Sequence, residues 1–283
     1  LIGGISMDTP AEQTSAPLTI LERLRPSHLG DFLFRAITLA FASLVLVLIV
    51  AMLFEMIQNS MLSFQKFGFG FITATVWDPP AREFGALPFV YGTIVTSILA
   101  LILAVPISIA VAVFVTYQAP MAIRRPVISL VELLAAIPSV AYGLWGIFVL
   151  VPFMRETVNP VLRSTLGFTP LFDGPSFGLG TLTAGVILAI MVTPIITTVS
   201  RDVLAAVPPH QRDGALALGA TQWEAIRVVF TYALPGIVGA IILGLARAIG
   251  ETMAVTMVIG NRPDITVSLF SPSYTMASVI ANE

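Results

Sequence analysis

The chain of 283 residues has no cysteine, which excludes disulfides and thiolate metal sites. Its two histidines, His28 and His210, stand far apart and form no metal-ligand spacing. Charge is scarce as well. Only 11% of residues are charged, against about a quarter in a soluble domain, so an ordinary soluble fold is excluded. Lysine is nearly absent. Lys66 is the single one, in Phe64-Gln65-Lys66-Phe67-Gly68 with no glycine-rich loop before it. The chain therefore carries no phosphate-cradling P-loop. It also lacks a zinc-protease helix motif and a Gly-x-Ser-x-Gly elbow, which leaves an enzyme reading little to stand on. A net charge of −2 gives no bulk attraction for nucleic acid. No repeat of fixed period is present.

What is present is apolar: 57% of the residues are hydrophobic. A spanning helix needs about 20 of them in succession to cross about 30 Å of hydrocarbon. The charge-poor runs predict five spans, at 36–54, 88–116, 133–154, 179–200 and 236–259. The expected fold is all-α and membrane-embedded, with a cytoplasmic segment over 1–32 and a transmembrane domain over 33–283. Arginine placement orients it. With the N-terminus inside, the inner segments hold eight basic residues and the outer ones five. The short Arg124-Arg125 loop carries much of that bias. Five spans leave the C-terminus outside, and a sixth span is expected beyond Glu283.

Two features stand out from this frame. The first is the inner loop 201–227. Pro208-Pro209 breaks one helix, Asp213 is placed to open the next, and Gly219 allows a turn. Two short helices separated by a glycine are expected. The small residues Gly214 and Ala215 would let the first sit close in a partner's groove; the alternative is a packed interfacial connector. The second is the charged pair Arg247 and Glu251 in the fifth span. Four residues apart, they share one face of a helix that begins near Pro235-Gly236. Arginine at mid-membrane costs about 2.5–3.5 kcal/mol on insertion scales, so it must face protein or water. Either it is an ion pair that only fixes packing, or it lies in an anion path or gate. In the third span Pro138 opens the backbone, Ser139 and Tyr142 are placed to rebond the freed groups, and Gly143 and Gly146 permit close helix contact.

These segments carry a resemblance. Asp213-Gly214-Ala215 followed by Gly219 resembles the EAA loop of bacterial ABC importer permeases, with Asp213 in place of its Glu and Gly214 in place of its first Ala. The stretch 244–261, which contains Arg247-Ala248-Ile249-Gly250-Glu251-Thr252, resembles the C-type permease subunits of the phosphate-specific ABC importer family. So does Leu133-Leu134-Ala135-Ala136-Ile137-Pro138-Ser139 and its continuation to Gly146. The similarity extends over about 85–282. It implies a type I (MetI-like) permease bundle in a bacterial inner membrane. It implies a dimer of ATP-binding subunits that holds ATP and Mg, none being held by this chain. It implies a second homologous permease and an extracytoplasmic phosphate-binding protein. On this resemblance Arg247, Glu251, Thr252 and Ser139 are the candidate path or gate residues. Asp213, Gly214, Ala215 and Gly219 are the candidate ATPase-coupling residues. A permease for another oxyanion, a proton-coupled transporter using Glu251, and a membrane scaffold are the competing readings.

Overall fold

The computed structural model describes residues 26–282. The expected cytoplasmic segment lies outside the described residues up to position 25; beyond it the chain is already helical. Helix α1 (Pro26–Phe67) runs unbroken for 42 residues, about 63 Å at 1.5 Å per residue. The charge-free stretch 36–54 is its middle, flanked by Asp31, Arg35 and Glu55. Apolar side chains occupy every face of that stretch, as a lipid-immersed helix requires. The chain divides into compact units at Gly68 and Phe69, and α1 belongs to the first.

The second unit opens with α2 (Gly70–Thr73) and a hairpin of β1 (Trp77–Asp78) and β2 (Glu83–Phe84). Helix α3 (Leu87–Val113) follows, and a π-helical turn carries it to Gln118. Next come α4 (Met121–Ala136) and α5 (Ser139–Trp145). Wide π-helical turns then join α5 to α6 (Val151–Phe153) and α7 (Asn159–Leu166). The rest is α8 (Thr181–Ala206), α9 (Pro209–Ala217), α10 (Gln222–Gly250), α11 (Met253–Val258) and α12 (Met276–Asn282). Among the described residues, four helices are long and apolar enough to span, or five if the bent pair at 121–166 is one crossing.

Helices α3, α8 and α10 form the core of this unit. Helices α3 and α8 are parallel and stay in step along their length. Leu99 lies against Gly185, Ser108 donates to the Thr193 carbonyl at 3.1 Å, and Tyr117 donates to the Leu204 carbonyl at 2.7 Å. Helix α10 runs antiparallel to α8, with Gly236 against Val203 and Gly244 against Ile196. Ala100, Ala104, Ala112, Ala184 and Ala240 are wholly buried there. Lipid is as apolar as these side chains, so association rests on the close approach that small residues allow.

The connectors gather at two ends. At one, the backbone N–H of Leu269 donates to the Leu171 carbonyl at 2.8 Å, Gly180 donates to Val258 at 3.1 Å, and Tyr91 donates to Thr266 at 2.9 Å. The ring of Trp77 stacks edge-on to Phe89 at 4.8 Å on the same end. At the other end, Arg201 pairs with Glu132 at 3.8 Å, and the Arg212 guanidinium lies 5.9 Å from the centre of the Tyr117 ring. Within this unit, the connectors group as arginine placement grouped them.

Several expectations need correction. The run 133–154 is not one straight span: the chain bends by 93° between α4 and the helix of residues 139–166. The run 236–259 is not one span either. Helix α10 passes straight through Pro235 and stops at Gly250. It starts at Gln222 because Thr221 and Glu224 form a capping box there, which outweighs the helix-starting signal of Pro235-Gly236. The second of the two short loop helices is thus the first turn of α10. Asp213 does not open a helix; it lies inside α9, whose first residue is Pro209.

Candidate functional site

Two interrupted helices meet near the middle of the bundle. The first interruption is at Ile137-Pro138. Pro138 has no N–H to give and forces the residue before it out of helical geometry. Ile137 accordingly sits at φ −68°, ψ 129°. The break frees carbonyls of the last α4 turn, and Tyr142 donates its hydroxyl to one of them, Leu134, at 2.8 Å. Sequence reasoning assigned this rebonding to Ser139 and Tyr142 together. Only Tyr142 does it; Ser139, half-buried at the start of α5, makes no side-chain hydrogen bond among the described residues.

The second interruption follows Gly250. Glu251 adopts φ −74°, ψ 124° and ends α10. Its side chain is 7% exposed, and its Oε1 accepts the Ala254 N–H at 3.3 Å, which caps the first turn of α11. Thr252 donates its hydroxyl to the Gly250 carbonyl at 3.4 Å, and Thr256 donates to Thr252 at 2.7 Å. The short helix α11 packs on α5 through the glycines. Gly143 lies against Met257 and Ala254, and Gly146 against Val258 and Ile187. The two breaks are joined by this contact.

Arg247 stands in the last turn of α10, beside the second break. Its level follows from α8: Gly244 packs on Ile196, near the centre of that helix of 26 residues, and Arg247 is less than one turn further. The pair with Glu251 is present but loose, Nη2 to Oε2 being 4.0 Å. The two do not share a regular helix face, because the helix ends between them. The Arg247 side chain is 42% exposed. Glu251 is buried and Arg247 is half-open, so the pair is asymmetric in this chain. It has five N–H donors in a planar fork, and Glu251 engages it at one loose point. It is also within electrostatic reach of the Tyr142 hydroxyl. Arg247, Glu251 and Thr252 thus cluster with Tyr142 at the paired breaks, and Ser139 sits one turn before Tyr142 on α5.

The loop between α8 and α10 is a separate locus. Helix α9 ends in a Schellman turn. The N–H of Ala220 donates to Ala215 at 3.1 Å and that of Gly219 to Leu216 at 3.0 Å, with Gly219 at φ +89°. The capping box of Thr221 and Glu224 begins α10 directly afterwards. Asp213, Gly214, Leu218 and Gly219 face outward, and Leu218 is 91% exposed. Ala215 is half-buried on the opposite face. Sequence reasoning missed Arg212. Its Nη2 donates to Gln222 Oε1 at 2.8 Å, and its guanidinium stacks over Tyr117. It ties α9 to α10 and to the end of α3. In the sequence it was one more inner arginine; a partner ten residues away leaves no periodic signal.

Comparison with known proteins supplies the relationship. Residues 104–279 match the family described as binding-protein-dependent transport system inner membrane component. The phosphate transport system permease protein PstC of Haemophilus influenzae is 47% identical over 258 residues, covering 89% of this chain and 82% of that protein. That of Pasteurella multocida is 48% identical over 261 residues, covering 90% and 82%. A probable phosphate transport system permease protein of Methanocaldococcus jannaschii is 38% identical over 255 residues, covering 88% and 81%. The chain therefore belongs to the family of binding-protein-dependent transport system inner membrane components, and these phosphate transport permeases are its relatives within it.

Proposed function

We propose that this chain is the transmembrane permease subunit of an ATP-driven importer of inorganic phosphate. The observation that carries the reading is Arg247: a half-exposed guanidinium at the level of the bundle centre, held among the described residues by one loose contact to Glu251. Arginine matches an oxyanion with two parallel N–H donors. A charge so placed is costly in hydrocarbon, so its open side must meet protein or a water-filled path. A second, homologous permease closing over that side supplies both. The relatives named for phosphate transport support phosphate as the anion.

The chain carries no P-loop, so hydrolysis belongs to a partner: a dimer of ATP-binding subunits that holds ATP and Mg. The outward face of α9, with Asp213, Gly214, Leu218 and Gly219, is the docking element for it, and Ala215 backs that face. The Schellman turn and the capping box make α9 and the start of α10 one stiff lever, so displacement of α9 reaches Arg247 along α10. The α9 end is cytoplasmic, with the N-terminus on the same side. The opposite end receives phosphate from an extracytoplasmic binding protein. ATP binding closes the ATPase dimer, α9 moves with it, and phosphate passes the paired breaks as the spans change facing. Glu251 holds Arg247 loosely and keeps α11 in place; Thr252 and Ser139 line the same breaks.

Whole-cell phosphate uptake by Arg247→Gln tests the assignment, with assembly of the complex checked by co-purification. Uptake is expected to fall at least tenfold, on the order of 1.4 kcal/mol or more of lost anion stabilisation, and Arg247→Lys to recover part of it. Normal uptake by an assembled Arg247→Gln complex would overturn the path role.

A further inference from the structure

A groove of about 630 Å³ opens between α3 and α10 near their α9 ends. Its floor is apolar: Ile109 and Val113 from α3, Ile226 and Phe230 from α10. Gln118, Trp223 and Arg227 line its polar end. Trp223 and Arg227 are four residues apart on one face of α10, and Trp223 is 67% exposed. At this end Arg201 pairs with Glu132 and Asp202, and Arg212 holds Gln222, while Arg124 and Arg125 of the neighbouring α4 do not line the groove. Arg227 is exposed and takes part in no ion pair among the described residues.

Depth adds a second argument. The α3 wall of the groove runs from Pro106 to Gln118, and Tyr117 beside Gln118 is level with Leu204, about 16 Å from the centre of α8. The polar end therefore lies near the hydrocarbon boundary of a core about 30 Å thick, with the apolar floor inside it. Tryptophan and arginine at that depth are the residues that meet headgroups. An apolar trough running inward from an uncompensated cation has the shape and charge of one ligand class.

We propose that this groove binds an anionic phospholipid. One acyl chain lies along Ile109, Val113, Ile226 and Phe230, and the headgroup phosphate meets Arg227. Trp223 and Gln118 flank the headgroup with an indole N–H and an amide. The positive charge selects anionic over zwitterionic lipid, and the apolar floor fixes the lipid in place. This site is separate from Arg247 and does not depend on what the chain transports.

The test is photocrosslinking in the assembled complex, with Phe230→p-benzoylphenylalanine, reconstituted in vesicles of phosphatidylcholine with a minor share of phosphatidylglycerol. Mass spectrometry identifies the adduct. Phosphatidylglycerol is expected to be enriched about fivefold over its share of the bilayer, the preference one basic residue confers near an anionic lipid. Arg227→Gln should return it to the bulk share, and Arg227→Lys should keep the enrichment. A bulk-share adduct in the parent, an enrichment that survives Arg227→Gln, or an adduct with another polypeptide would each overturn the proposal.

Discussion

Glu251 serves two elements at once. One carboxylate oxygen caps α11, the other sits 4.0 Å from Arg247. On the proposed reading, a carboxylate shared with α11 restrains Arg247 at one loose point and leaves its other donors for an anion. The neighbouring glycines matter for a different reason. A Cβ at Gly143 would run into Met257, and it would stand 3.2 Å from the Cα of Ala254. Met257 is flexible; the backbone at Ala254 is not. Gly143→Ala is expected to destabilise the complex by about 1–3 kcal/mol, the usual cost of overpacking. Met257→Ala in the same chain should recover part of that loss. Thermal unfolding of the purified complex measures both, and additive effects would show that Gly143 and Met257 do not share the contact.

At the scale of elements, how much was legible depended on how local the cause was. The break at Pro138 was readable as a kink, because proline acts on its own backbone and on its neighbour. Its 93° size was not, since that depends on where α4 and α5 find packing partners. The break at Glu251 was missed. Gly250 and Glu251 carry no strong stop signal, and the four-residue spacing from Arg247 pointed to a continuous face. The end of α9 was legible in Gly219. That glycine sits at φ +89° with open space around it, so a Cβ there meets backbone strain rather than a neighbour. Gly219→Ala is expected to cost about 1–2 kcal/mol locally. Gly214→Ala, inside α9 and equally uncrowded, should stabilise the helix by roughly 0.5–1 kcal/mol. Hydrogen exchange at the amides of residues 215–220 reads this as faster exchange in the first variant and slower in the second. Equal exchange in both would mean that the Schellman turn does not hold the end of α9.

For the whole molecule, ATP hydrolysis on the proposed reading belongs to a partner subunit, since the sequence holds no P-loop. In vesicles containing the full complex and the binding protein, phosphate uptake should require ATP and persist when an ionophore collapses the proton gradient. Uptake that survives without ATP and fails with the ionophore would instead make Glu251 a proton site. The sequence by itself determined the solvent: with 11% charge and long apolar runs, this chain must bury its surface in lipid. It also determined the positions of arginine, proline and glycine whose effects are local, and so the partition of connectors and the turn at Gly219. Tertiary structure alone decided that two breaks far apart in the chain lie against each other, that α10 runs on through Pro235, and that Arg247 stays half-open beside a buried Glu251. Those outcomes rest on side chains from α5, α8 and α11 meeting at close range. No periodicity along the chain encodes such a meeting, because its partners are set by packing in three dimensions.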